Sequence, residues 1–276
     1  MAEFKRITSF FCLLCIFSCL FSGCGFKKNV TDYELTVKLH FGTHNGTYTG
    51  TLKGGKPNGV GKFVCPLDIN VVGSGWVYDG SWVDGHMQGP GKFSFDSGEI
   101  RDGVFDMDDM VSGKIYLTDG SIYEGETRDG IIYGKGTLTR KDGTVYEGEF
   151  KDGKFNVRVK IFYTDGSVYE GEFANNQMNG RGTLLWVSGA SYTGDFVNDK
   201  YHGKGVFTWA DGSKYAGDFT DDQITGEGSF YDTAGQKIYS GGVKNAAFHG
   251  KGTEFSILDG SVIRKGTYKE GNFIGE

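Results

Sequence analysis

The chain repeatedly alternates aromatic or glycine residues with acidic ones, most clearly at residues 146–150, which read Tyr-Glu-Gly-Glu-Phe. A period of two residues predicts a β-strand with one aromatic face and one carboxylate face. A second alternating phrase follows, Gly-x-Gly-x-Leu, as at residues 134–138 and 180–184. Turn-forming pairs such as Asp152-Gly153 lie between the two phrases, so the pattern predicts a β-hairpin.

This hairpin unit recurs about every 23 residues along the chain. The units open at Tyr48, Tyr78, Arg101, Tyr123, Tyr146, Tyr169, Tyr192, Tyr215, Tyr239 and Arg264. A fixed period of this length is typical of stacked arrays rather than of one closed globule. Asp-Gly pairs between the units favour further tight turns. The predicted fold is therefore all-β, an elongated array of tandem antiparallel β-hairpins over residues 48–276, about nine and a half repeats.

The phrase Y-E-G-E-F, followed by G-x-G-x-(L/F) and then Asp-Gly, resembles the MORN repeat, the membrane occupation and recognition nexus motif. Residues 146–150 and 169–173 carry the first part, and residues 180–184 and 203–207 carry the second. The resemblance covers residues 48–276 and implies an interaction scaffold without specifying its ligand.

A separate strand is predicted before the array. From Tyr33 to Phe41, apolar residues alternate strictly with polar ones, which indicates a half-buried strand. Residues 42–46 then form a turn-like loop. We expect this strand, within a tether and cap over residues 24–47, to pair with the first repeat and cover the end of the array.

Residues 1–23 have the features of an export signal. Lys5-Arg6 precedes an apolar run over residues 10–21, and small residues lead to Cys24. This ending resembles the lipobox of bacterial lipoproteins, which implies that Cys24 carries acyl chains such as palmitate. The resemblance places the protein in the cell envelope, lipid-anchored outside the cytoplasmic membrane, or at the outer membrane in a Gram-negative source. An uncleaved membrane anchor and ordinary secretory cleavage are the alternatives.

Charge excludes one class of partner. The chain has 29 Lys and Arg against 35 Asp and Glu, a net charge of -6. A nucleic-acid-binding protein needs a basic stripe, so no nucleic acid partner is expected.

The residue types that could support catalysis do not form a distinct site. Glu147 and Glu149 lie two apart on one strand face, a separation that suits paired carboxylates in sugar hydrolysis. The same pair recurs at Glu124/Glu126 and Glu170/Glu172, so these are ordinary solvated acids. We expect no catalytic residues, no metal site and no cofactor.

Two sets of residues are candidates for binding. The first is the repeated aromatic face, formed by Tyr123, Tyr146, Phe150, Tyr169, Phe173, Tyr192, Phe196, Tyr215 and Phe219. The second is the irregular positions that could give specificity, Arg101, Ile115, Val157 and Val159. Arg101 replaces the opening tyrosine of its unit, while the other three replace glycines of the Gly-x-Gly phrase.

These features predict a membrane-anchored, non-catalytic scaffold that holds an unidentified envelope protein. The alternatives are binding of glycan or choline-type cell-wall groups on the aromatic face, or binding of lipid, which the family name implies.

Overall fold

The computed structural model describes residues 26–39, 42–66 and 75–276. They form one antiparallel sheet in which each strand pairs with the next along the chain. The strands are β1 (Lys27–Leu39), β2 (Gly42–Lys53), β3 (Lys56–Cys65), β4 (Trp76–Val83), β5 (His86–Phe95), β6 (Ile100–Asp106), β7 (Asp109–Tyr116), β8 (Ile122–Arg128), β9 (Ile131–Thr139), β10 (Val145–Lys151), β11 (Lys154–Phe162), β12 (Val168–Ala174), β13 (Gln177–Leu185), β14 (Ser191–Val197), β15 (Lys200–Thr208), β16 (Lys214–Thr220), β17 (Gln223–Tyr231), β18 (Lys237–Lys244), β19 (Ala247–Phe255), β20 (Val262–Lys269) and β21 (Asn272–Gly275). The predicted all-β hairpin array is confirmed.

Among the described residues no helix is long and apolar enough to cross a membrane. The signal-like segment 1–23 and Cys24 lie outside the described residues.

Two kinds of turn build the array. Within a unit, both residues of the two-residue turn have positive φ, as at Asn175 (54°) and Asn176 (61°). Such turns match the right-handed twist of the strands and favour Asn, Asp and Gly. Between units, Asp165 Oδ1 accepts a hydrogen bond from Ser167 N at 2.8 Å, and Gly166 has φ 86°. The turn residues of the sequence therefore explain both connections.

The first strand of nearly every hairpin has an irregularity just after its central glycine. In β12 the register with β13 shifts between Gly171 and Phe173, and β10 and β16 shift at equivalent places. A bulge bends its strand and increases the local twist. The aromatic rings are buried in two clusters that both contact Leu138 and Phe155.

The predicted strand before the array is also present. Strand β1 pairs antiparallel with β2, with Val37 opposite His44, and Val37 and Leu39 are buried. It begins at Lys27, earlier than the alternation alone indicated, and its register shifts between Val30 and Tyr33. His40 and Phe41 lie outside the described residues.

Val157 has a backbone conformation that does not suit its side chain. Its φ is 66°, in the left-handed region where a β-branched residue is an outlier. Eleven residues after their opening tyrosines, seven other units have glycine with positive φ: Gly59, Gly89, Gly134, Gly180, Gly203, Gly226 and Gly250. Val157 therefore occupies a position whose backbone geometry favours glycine.

We expect Val157→Gly to raise the free energy of unfolding by about 1 kcal/mol, because relief of the left-handed strain outweighs the larger unfolded-state entropy of glycine. Thermal or urea melts measure the change. Val159→Gly is the control: Val159 is buried, so that variant should be destabilised. A Val157→Gly variant that melts below the wild type would contradict the strain argument.

Candidate functional site

The repeated aromatic face is closed to solvent. All nine rings expected to form a binding surface are buried: Tyr123, Tyr146, Phe150, Tyr169, Phe173, Tyr192, Phe196, Tyr215 and Phe219. Most of these tyrosines are completely inaccessible, and Tyr146, at 8%, is the most exposed of the nine rings. These nine rings therefore lack the exposed surface that a binding face requires.

The reason lies in pairs of cross-strand glycines, each of which we call a glycine slot. Gly171 lies opposite Gly182, and the ring of Tyr169 occupies the space that two side chains would take. A Cβ built on Gly182 would lie 2.5 Å from Tyr169 Oη. The hydroxyl donates a hydrogen bond to Glu172 O at 2.7 Å. The ring is thus buried while its polar atom keeps a partner.

The same arrangement recurs along the array. Tyr123 and Tyr192 donate to Glu126 O at 2.7 Å and to Asp195 O at 2.9 Å. Burial raises the pKa of Tyr123 to about 12 and that of Tyr169 well above its usual range. These tyrosines are therefore packing residues that stay protonated at neutral pH.

The four candidate specificity positions differ in their exposure to solvent. Ile115 lies opposite Tyr123, as Leu138 does, and Gly113 holds the glycine position, so the expectation that Ile115 replaces a glycine is wrong. Ile115 and Val159 are buried, so they pack the core and cannot contact a partner. Arg101 donates from Nε to Glu99 Oε1 at 2.7 Å and lies 5.3 Å from the Phe95 ring, so its guanidinium is already engaged. Val157 is exposed and is the one of the four that a partner could contact directly.

The opposite face carries one continuous row of cross-strand pairs, one residue from each strand, which we call the floor row. From β3 to β12 it is mostly charged, with alternating signs at first: Lys62, Asp79, Lys92, Asp102, Lys114, Glu124, Thr137, Glu147, Lys160 and Glu170. Lys114 Nζ, for example, lies 3.3 Å from Glu124 Oε2. Here long side chains cover the sheet and largely neutralise each other.

From β13 to β19 the floor row is small and uncharged, and on β20 it ends at Lys265. Its members are Thr183, Thr193, Val206, Ala216, Ser229, Ser240 and Thr253. Thr183 and Thr193 share a hydrogen bond of 3.0 Å between their hydroxyls, and so do Ser229 and Ser240. Short side chains that bond to one another leave the space above the sheet open.

A groove of about 1260 Å³ lies over this part of the sheet and extends from β11 to β18. Eight strands at about 4.8 Å spacing make it about 34 Å long. Over β11 to β13 one side is apolar, with Phe162, Val168 and Leu185. The other side carries Arg158 and Arg181 there, and Lys204 and Glu227 further along. On β11 and β13 the two sides are four residues apart, or about 13 Å. The groove can hold a polypeptide segment with one apolar side.

The charged side of the groove is held in place by acidic neighbours. Lys204 Nζ lies 2.6 Å from Asp218 Oδ1, and Arg181 Nε lies 3.5 Å from Asp195 Oδ1. Partial burial tends to raise the pKa of Asp218, but hydrogen bonds from Lys204 and from Glu227 N hold that pKa below its usual value. Arg181 remains 83% exposed, so its guanidinium can pair with a partner's carboxylate.

Our sequence reasoning did not find this groove. The signal was the residue after each opening tyrosine, which changes from Glu124, Glu147 and Glu170 to Thr193, Ala216 and Ser240.

A family comparison explains the repeat. The model described as "MORN repeat" matches residues 48–66, 78–100, 123–145, 146–168, 169–191, 192–214, 215–237 and 239–256. Because these matches cover more than half of the chain, the chain belongs to the MORN repeat family. A search of curated proteins found no match.

Two solved structures are similar in part. One is the SAS-4 (dCPAP) TCP domain of Drosophila melanogaster in complex with a proline-rich motif of Ana2 (dSTIL), at 10% identity and TM-score 0.37, covering 66% of this chain and 87% of that one. The other is the TCP10 domain of Danio rerio CPAP, at 14% identity and TM-score 0.26, covering 70% and 96%. Both TM-scores are too low to bear on function.

The loss of stability on replacing a glycine by alanine should depend on whether a tyrosine ring fills the glycine slot. Gly171→Ala should destabilise the fold by about 2 kcal/mol, because its Cβ would meet Gly182 Cα at 2.5 Å and the Tyr169 ring. Gly148→Ala is the matched control at the same repeat position and should cost less, because its Cβ would meet Arg158 O at 3.0 Å and no side-chain atom closer than 3.5 Å. Chemical denaturation measures both, and equal losses would contradict the slot argument.

Proposed function

We propose that this protein is a membrane-tethered, non-catalytic scaffold that holds a partner protein at the cell envelope through the groove over β11 to β18. Membership of the MORN repeat family supports a repeat protein of membrane or protein interactions. The observation that carries the finer proposal is the change of the floor row from long charged residues to short uncharged ones, which opens a groove in an otherwise regular array.

The groove favours a partner segment with two chemically different sides. Phe162, Val168 and Leu185 offer apolar contacts, whose burial provides most of the affinity of such interfaces. Arg158 and Arg181 on the opposite side favour carboxylates, because a guanidinium binds them bidentately. A width of about 13 Å fits an α-helix, which is 10–12 Å across with its side chains.

The absence of catalysis is part of the proposal, and a histidine–cysteine pair illustrates the reason. Cys65 Sγ lies 3.9 Å from His44 Nδ1. Burial raises the pKa of the Cys65 thiol and lowers the pKa of the His44 imidazole. Both groups are therefore neutral at pH 7, whereas a catalytic pair of this kind depends on the thiolate.

The groove is tested by photo-crosslinking followed by an affinity measurement. A photoreactive residue at Ser229 on the floor should capture the partner from envelope extract, and one at Lys92 in the charged part of the floor row should not. Ala216→Lys should then weaken binding of that partner by about tenfold or more, because a long charged side chain would occupy the floor of the groove between Val206 and Ser229.

Thr137→Lys is the matched control for this substitution. It adds the same charge to the same row, but between Glu124 and Glu147, and it should leave partner binding unchanged. Full binding by Ala216→Lys, or capture from Lys92 alone, would show that the partner docks elsewhere.

The membrane tether is tested separately at Cys24. Cys24→Ala should move the protein from the membrane fraction to the soluble fraction or leave it unprocessed, because stable anchoring needs two or more acyl chains. Fractionation and metabolic labelling with palmitate measure this. Cys19→Ala, within the signal-like segment, should behave as the wild type. Unchanged retention and labelling of Cys24→Ala would refute lipidation at this residue.

A further inference from the structure

A small aromatic pocket of about 480 Å³ lies apart from the groove, on the aromatic side of the sheet. Its lining includes four aromatic rings, an aliphatic residue and a carboxylate: Tyr201, Phe207, Trp209, Phe219, Ile224 and Asp222. Tyr201, Phe207, Trp209 and Ile224 are partly exposed, whereas Phe219 is buried. The pocket is therefore open to solvent.

The pocket arises from one change between neighbouring repeats. Trp186 is packed by Tyr201, with ring centroids 6.2 Å apart and planes at 90°. One repeat of 23 residues later the corresponding pair is Trp209 and Ile224, and both line the pocket. Isoleucine has no ring to fill the space that Tyr201 fills beside Trp186. The resulting space is bounded by electron-rich aromatic surfaces.

The rings surround the pocket at steep angles. The centroid of Tyr201 lies 6.4 Å from that of Phe207 and 6.3 Å from that of Phe219, with interplanar angles of 60° and 83°. Rings at such angles present several π faces and edges to one volume, as in the aromatic cages that bind methylated ammonium groups.

The electrostatics of the pocket are negative. Asp222 is the one charged residue among the described residues that line it. Its Oδ1 accepts a hydrogen bond from Tyr201 N at 2.8 Å, which holds the carboxylate at the pocket. Burial and then the charge of Asp222 raise the pKa of Tyr201 above its usual range. The negative charge of Asp222 is therefore felt at the Tyr201 ring, and it would stabilise a cation bound in the pocket.

Elsewhere in the described residues, the protein covers aromatic rings with its own cations. Seven rings have a lysine or arginine within 6 Å of their centroid: Phe95, Tyr133, Tyr146, Phe162, Tyr231, Phe255 and Phe273. Arg140, at the repeat position of Trp209, lies 4.8 Å from the Tyr146 centroid. In the described part of the chain, none of the four rings of the pocket has such a partner. A cation can therefore bind at this place in the repeat, and among the described residues the protein supplies none to the rings of the pocket.

We propose that this pocket binds an organic cation of the quaternary ammonium class, with its methyl groups against Tyr201, Phe207 and Trp209 and its charge balanced by Asp222. The site does not depend on the groove or on its partner. It belongs to one repeat boundary, because only there does isoleucine stand beside a tryptophan.

Isothermal titration of the full-length protein with choline chloride tests the proposal, with 3,3-dimethylbutan-1-ol as a neutral probe of the same shape. Choline should bind about tenfold or more tightly than the neutral probe, because only choline gains the cation–π and carboxylate attraction. No choline binding, or equal affinity for the two probes, would overturn the proposal.

Three variants locate the site. Ile224→Tyr should abolish choline binding by restoring the ring that Tyr201 supplies in the preceding repeat. Asp222→Asn should weaken it about tenfold while keeping an oxygen for Tyr201 N; asparagine already occupies the equivalent turn position at Asn176, with φ 61°. Asp221→Asn is the matched control, since Asp221 interacts with Lys200 at 3.9 Å outside the pocket, and it should bind as the wild type.

Each variant is first checked for its fold by circular dichroism and melting temperature. Wild-type choline affinity in a folded Ile224→Tyr protein would place the binding elsewhere. Vesicles then identify the source of the ammonium group. Retention on phosphatidylcholine vesicles that free choline competes away would indicate a lipid headgroup, and choline binding without such retention would indicate a soluble or cell-wall source.

Discussion

The fold depends on the insertion of a tyrosine ring between two cross-strand glycines. The ring of Tyr169 occupies the slot of Gly171 and Gly182, and its hydroxyl donates to Glu172 O at 2.7 Å. This contact lets a single sheet bury large aromatic residues without a second layer. Because the hydroxyl is satisfied, burial carries no penalty for an isolated polar atom. Each unit completes its own slot and packs against its neighbours, which is why the array can be extended by repetition.

Where the tyrosine or a glycine is missing, another side chain fills the same place. In the unit of Arg101, Met110 fills the glycine slot. A Cβ built on Gly103 or on Gly113 would lie within 2.9 Å of Met110 Cε. In the unit of Tyr146, Val159 replaces one glycine and is itself buried. Methionine suits such gaps because its unbranched chain adapts to irregular space. These irregular residues thus mainly fill space in the core that the tyrosine ring fills in regular units.

Because the slots fix the core, the opposite face can vary freely. The floor row carries charges where long side chains pair across strands and carries Thr, Ala and Ser where the groove opens. Surface ion pairs add little to stability, so their loss costs the fold little. The proposed cation pocket follows the same logic at the ring face, since Ile224 leaves space without removing a slot. Both proposed binding sites lie where a repeat has a smaller side chain than its neighbours.

Alternation and turn chemistry act locally, so the hairpins, their antiparallel order, the turn positions and the β1 cap follow from the sequence alone. The placement of tyrosine and glycine on one face follows from it too. The burial of Tyr169 and its equivalents does not, because ring insertion depends on glycines from two strands that meet in register. The groove likewise needed the register that brings Thr193, Val206 and Ala216 side by side from three strands. Strand pairing decides which residues are neighbours across strands, and the residue pattern of a single strand does not specify that pairing.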